Sequence, residues 1–155
     1  MSRSSRGDGR RGAAGGRSSR DGWVPPRAVP RGRAVGRRSY RPLFPHLARA
    51  KVSQLALEFA SREMAEIELA REIKAPMGLA VGLVDVKNTW AEPPQLVAER
   101  LRTVLKYIEP ERVHVTPDCG FSQTARFIAT KKLAAMVEGV RLVRRGMGGC
   151  DAHVS

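Results

Sequence analysis

Apolar positions are organised only after about residue 43, where short dense runs alternate with stripes at helical spacing. Residues 44–50 suggest a short helix. Residues 53–59 form a compact apolar run that predicts a strand ending near Glu58. Ser61 is placed to cap a helix over 62–74, with Met64, Ile67 and Ala70 on one face. Residues 79–86 are almost continuously apolar, as expected of a strand covered on both faces. Pro93 and Pro94 suit the first turn of a second helix, which aligns Val97, Leu101, Val104, Leu105 and Ile108. Val113, Val115 and Thr116 are β-branched and predict a buried third strand stopped by Pro117. A long third helix follows over about 124–144, carrying Leu133, Met136, Val137, Val140 and Val143.

The order β-α-β-α-β-α implies parallel strands joined by helical crossovers, an α/β fold. Parallel strands deliver their C-terminal ends to one edge of the sheet, where the chemistry of such folds sits. That edge would carry Glu58 or Phe59, then Asp85 to Lys87, then Asp118 and Cys119. A thiol there is a candidate ligand or nucleophile, although a buried structural cysteine is the competing reading. Glu58, Asp85 and Cys119 together suggest part of a metal site, with Glu58 alternatively a solvated strand-end carboxylate.

Charge divides the chain in two. Residues 1–42 contain twelve arginines, no lysine and two acids, in a setting of Gly, Ser, Pro and Ala. Such a segment buries too little apolar area to offset its ordering entropy, and it is expected to be disordered. Residues 43–155 contain 16 basic and 13 acidic side chains, so the formal +13 belongs mainly to the tail. Residues 146–155 read as a second flexible tail. The two cysteines, Cys119 and Cys150, make no disulfide framework, which points to a reducing cytoplasmic compartment. No apolar run reaches the roughly 20 residues that span a bilayer.

Three segments are more specific than the periodicity: Gln54-Leu-Ala-Leu-Glu-Phe-Ala60, Val81-Gly-Leu-Val-Asp-Val-Lys87 and Pro110-Glu-Arg-Val-His-Val-Thr-Pro-Asp-Cys-Gly120. In order and spacing, residues 43–145 resemble the C-terminal catalytic domain of cobalamin-independent methionine synthases. Val97-Ala-Glu-Arg100 and residues 132–140 fit the same pattern. The resemblance implies the last three βα units of a (β/α)8 TIM-type barrel. It implies zinc-dependent methyl transfer from 5-methyltetrahydrofolate, usually polyglutamylated, to homocysteine. By the same resemblance, Glu58 and Cys119 would be two of four zinc ligands. Lys87 stands where many members have a histidine proposed to protonate the folate leaving group, and it would need a lowered pKa to do so. Asp85 would position substrate or simply terminate its strand.

One departure is large. The family's His-x-Cys ligand pair belongs upstream of Glu58, and this sequence has none there. His46 and His114 read as structural, and Cys150 and His153 lie beyond the match. The expectation is therefore a C-terminal piece of such a domain behind an unrelated Arg-rich N-terminus, with a second chain as one way to complete the barrel. The alternative reading is a nucleic-acid-binding protein acting through the arginines of residues 1–42.

Overall fold

The structure, a computed structural model, describes residues 39–148. In chain order these form helix α1 (Phe44–Leu47), strand β1 (Gln54–Glu58), strand β2 (Gly78–Val84), helix α2 (Pro94–Val104), strand β3 (Val113–Pro117) and helix α3 (Arg126–Gly146). Three short 3-10 segments, Ala60–Arg62, Ile67–Glu72 and Pro110–Arg112, fill the connections. The strands form one parallel sheet in the order β1-β2-β3.

The register sorts side chains onto two faces. Leu55, Leu79 and Val113 align, as do Leu57, Val81 and Val115. Alternation puts these rows on one face, and they share a core with Val97, Ala98, Leu101 and Val104 of α2 and Val143 of α3. The opposite face carries Ala56, Ala80 and His114 in one row and Glu58, Gly82 and Thr116 in the next. All seven residues of β2 are buried, as its continuous apolar run predicts. In β3, Val113 and Val115 are half-buried and His114 is exposed, because this strand pairs on one side only among the described residues.

Two predicted elements differ from the fold. No α-helix spans 62–74. Glu63, Met64 and Glu66 adopt left-handed φ values of 55°, 61° and 64°, at about 1–2 kcal/mol each for residues bearing a Cβ. The segment closes instead through short turns, such as Arg62 N–H to the Phe59 carbonyl and Leu69 N–H to that of Glu66. Ile67, Leu69 and Ala70 remain buried. The apolar spacing was real, but it fills the core from a folded loop.

In α3 the buried face matches the expected one only in part. Val143 is buried and Met136 and Val140 pack against the core, but Leu133 and Val137 are 40% and 46% exposed, and Lys132, Ala135 and Gly139 take inward positions. Small residues mark the contact with α2. A Cβ on Gly139 would lie 2.7 Å from Val97 Cβ and 2.9 Å from the Pro94 carbonyl oxygen.

Residues just before 43 contact the fold. The Tyr40 hydroxyl accepts from the Glu58 N–H at 3.2 Å, its ring packs edge-on to Phe59, and the Arg62 guanidinium lies 4.2 Å from the ring centroid. The remainder of the Arg-rich segment, and Cys150 and His153, lie outside the described residues.

Candidate active-site rim

β1 ends at Glu58 because the next three amides turn to a different acceptor. Asp118, just past β3, is buried, and its Oδ1 accepts from the N–H groups of Phe59 (3.1 Å) and Ala60 (3.0 Å). Its Oδ2 accepts from the Ser61 N–H at 2.6 Å. The carboxylate reaches from β3 to the end of β1 by crossing the middle strand at Gly82. A Cβ there would lie 2.4 Å from Asp118 Oδ1. Burial pushes the Asp118 carboxyl above its ordinary pKa, against the opposing pull of the Ser61, Ala60 and Phe59 hydrogen bonds. Asp118 N–H in turn donates to the Val84 carbonyl at 2.9 Å, which ties the clamp to β2.

Glu58 and Cys119 therefore flank one carboxylate, at the C-terminal ends of the two outer strands. Cys119 is exposed and a free thiol. Glu58 Oε2 accepts from Lys87 Nζ at 3.0 Å, and Ser61 Oγ lies 3.4 Å from the same ammonium. The Lys87 side chain is 61% exposed and that of Glu58 35%, so the pair is screened by solvent. The Glu58 hydrogen bond raises the Lys87 pKa. This is opposite to the lowering that proton donation near neutrality requires, because the carboxylate favours the charged ammonium.

Asp85 shapes its own loop. Its Oδ1 accepts from the Lys87 N–H at 2.8 Å and its Oδ2 from Asn88 Nδ2 at 2.5 Å. The loop is anchored from below by Glu92, which is 2% exposed. Glu92 Oε1 accepts from the Asp85 N–H at 2.8 Å and from Arg100 Nη1 at 3.2 Å, and Oε2 accepts from Lys132 Nζ at 3.0 Å. Lys132 also donates to the Asp85 carbonyl at 2.7 Å and to the carbonyl of Trp90, and Arg100 to that of Leu83 at 2.6 Å. The network fixes the backbone that presents Asp85 and Lys87.

Neither histidine joins the rim. His46 is exposed in α1. His114 projects from mid-strand, where its Nδ1 meets Gln54 Nε2 at 2.6 Å across the small residues of β2. Among the described residues no three His, Cys, Asp or Glu side chains come together as a metal cluster. Glu58 and Cys119 offer a carboxylate oxygen and a thiol, which suit two positions of a zinc shell.

Sequence reasoning gave no role to Asp118, Glu92 or Lys132. For Lys132 a signal existed, since it falls three and seven residues before Ala135 and Gly139 on the buried stripe of α3. For Glu92, lying in an irregular loop, there was none.

Three parallel strands, the second and third each followed by an α-helix, with a polar rim at the strand C-termini define part of a βα-barrel enzyme domain. The profile of the family described as cobalamin-independent synthase, catalytic domain, matches residues 37–141, and the chain belongs to that family. It is 45% identical over 95 residues to a methionine synthase of Thermococcus kodakarensis, covering 61% of this chain and 28% of that protein. With the methionine synthase of Pyrococcus furiosus it shares 36% over 107 residues, covering 69% and 31%. A B12-independent methionine synthase from Shewanella sp. W3-18-1, solved in complex with selenomethionine, superposes with a TM-score of 0.65 at 26% identity. That superposition covers 70% of this chain and 31% of the Shewanella chain. The chain thus spans about three-tenths of the length of these relatives. No helix among the described residues is long and apolar enough to cross a membrane.

Proposed function

We propose that this chain supplies the Glu58 and Cys119 side of a zinc site for methyl transfer from 5-methyltetrahydrofolate to homocysteine, giving methionine. The observation that carries the reading is the placement of a carboxylate and a free thiol on either side of the Asp118 clamp, in a member of the cobalamin-independent synthase family. Further support is the Shewanella relative's complex with selenomethionine, a methionine analogue. Zinc, when bound, would hold a substrate thiol as its thiolate at neutral pH. Glu58 and Cys119 would be its ligands from this chain, and further barrel units, on a longer or a second chain, would provide the rest. A reducing cytoplasmic setting would keep Cys119 available. The loop held by Glu92 would present Asp85 and Lys87 to the substrates. Lys87 would stand beside Glu58 at the rim, within reach of the substrates.

The test is zinc content after purification and dialysis, together with methyl transfer by the chain alone and mixed with the preceding barrel units of a relative. Zinc retained by the native sequence in the presence of those units and lost in Cys119→Ser is the expected result. Equal zinc in both would remove Cys119 from the site, and co-purification with the added units would identify them as its complement.

A further inference from the structure

We propose that Asp118 is a positioning residue for this rim: its carboxylate, passing over Gly82, sets the Glu58 end of β1 against Cys119. The proposal rests on the metal reading above and names what holds its two donors in place. Three observations carry it. The three amides that Asp118 accepts from belong to the residues immediately after Glu58. Cys119 is the next residue along the chain from Asp118, so one side chain links both donors through very short backbone paths. The middle strand leaves room for the crossing only because residue 82 has no side chain.

Other contacts also hold this backbone, since the Tyr40 hydroxyl bonds the Glu58 N–H and carbonyl and the Lys87 ammonium reaches Glu58 and Ser61, but Asp118 is the acceptor that the three consecutive amides share. Phe59 N–H also points at the Gly82 carbonyl, at 3.2 Å. The left-handed residues Glu63, Met64 and Glu66 follow at once, and left-handed φ at residues bearing a Cβ persists only where surroundings impose it. Removing the acceptor takes one partner from each of three amides, with Phe59 N–H keeping the Gly82 carbonyl, and loosens the turn that follows Glu58. Partners that orient metal ligands in this way commonly change metal affinity by roughly 10- to 100-fold when replaced.

The experiment uses the full chain with Zn(II) as the probe, comparing the native sequence with Asp118→Asn and Gly82→Ala. Asparagine keeps the size of the side chain but turns a donor toward one of the amides. Alanine at 82 displaces the carboxylate from the opposite direction while leaving it chemically intact. Zinc affinity is measured by chelator competition, and amide hydrogen exchange is followed at residues 59–61 and along β2. Cobalt(II) substitution supplies a thiolate-to-metal absorption band that reports on Cys119.

The expected result is a roughly 10- to 100-fold loss of zinc affinity in both variants. It should come with faster exchange at residues 59–61, unchanged protection in β2 and a weakened cobalt–thiolate band. Faster exchange at 59–61 with native zinc affinity would overturn the positioning role and leave the metal reading standing. Unchanged exchange at 59–61 would overturn the clamp itself. Absence of zinc binding by the native chain even with the preceding barrel units of a relative added would overturn the metal reading, and the positioning role with it. Should one variant fail to fold, as judged by lost protection in β2, the other decides.

Discussion

Glu66 shows how one side chain can hold a strained turn. Its carboxylate accepts from the Ser39 hydroxyl, from the Tyr40 N–H at 2.8 Å and from Arg62 Nη2 at 2.7 Å, while its own φ is 64°. The Ser39 hydrogen bond, with those of Tyr40 and Arg62, brings its pKa down to about 2. A carboxyl held below its ordinary value near 4.5 contributes stability that is complete above that pH and is lost as pH falls toward 2. Glu66→Gln should therefore flatten the fall in stability between about pH 4.5 and 2, as read from denaturant unfolding across that range. An acid limb equally steep in both proteins would show that Glu66 carries no such linkage. Lys87 lies at the other extreme, since its exposed pairing with Glu58 tunes charge at the rim and adds little to stability.

Among the elements, the contact between α2 and α3 is the most exacting. Gly139→Ala improves intrinsic helix propensity by about 1 kcal/mol. It also drives a methyl against Val97 Cβ and the Pro94 carbonyl, neither of which is the yielding tip of a flexible side chain. Overpacking of this kind costs about 1–3 kcal/mol, so the variant should be less stable despite the better helix former. A raised denaturation midpoint would contradict this packing. The same contact explains what the sequence could tell of the elements. Strands β1, β2 and β3 and helix α2 were legible because large apolar residues marked their buried faces. The face of α3 was legible at Met136, Val140 and Val143 but not at Ala135 and Gly139, which make the contact with α2 and carry little hydrophobic signal. The segment 62–74 reads as a helix because its apolar spacing is helical. Its turns are held instead by Glu66, through Ser39, Tyr40 and Arg62, and are entered through the amides of residues 59–61, whose acceptor Asp118 lies more than fifty residues later in the chain. Local patterning holds no record of that acceptor. At the rim, Glu58, Asp85, Lys87 and Cys119 could be placed from strand ends alone, while their supports could not.

For the whole molecule, Glu92 is the junction. It joins the end of β2, the loop below Asp85, α2 through Arg100 and α3 through Lys132. A buried charge pair broken on one side costs about 3–5 kcal/mol, because the remaining charge stays desolvated. Glu92→Gln should lose stability on that scale in urea unfolding, and adding Lys132→Met should recover part of the loss by removing the orphaned ammonium. If the double variant is as unstable as the sum of the two single ones, the pair is not coupled. The open sheet face with the Gln54–His114 bridge is the side that a closed barrel would turn inward.

The reach of Asp118 also has a consequence in time. The amides of residues 59–61 lie 57–59 positions before their acceptor, so a nascent chain exposes β1 and its following loop well before residue 118 has been added. Closing so long a connection carries an entropic cost that is recovered only when β3 docks beside β2. The acceptor for the amides after Glu58 thus arrives only with the third strand. A chain ending short of residue 118 lacks that acceptor and should show faster amide exchange at residues 59–61.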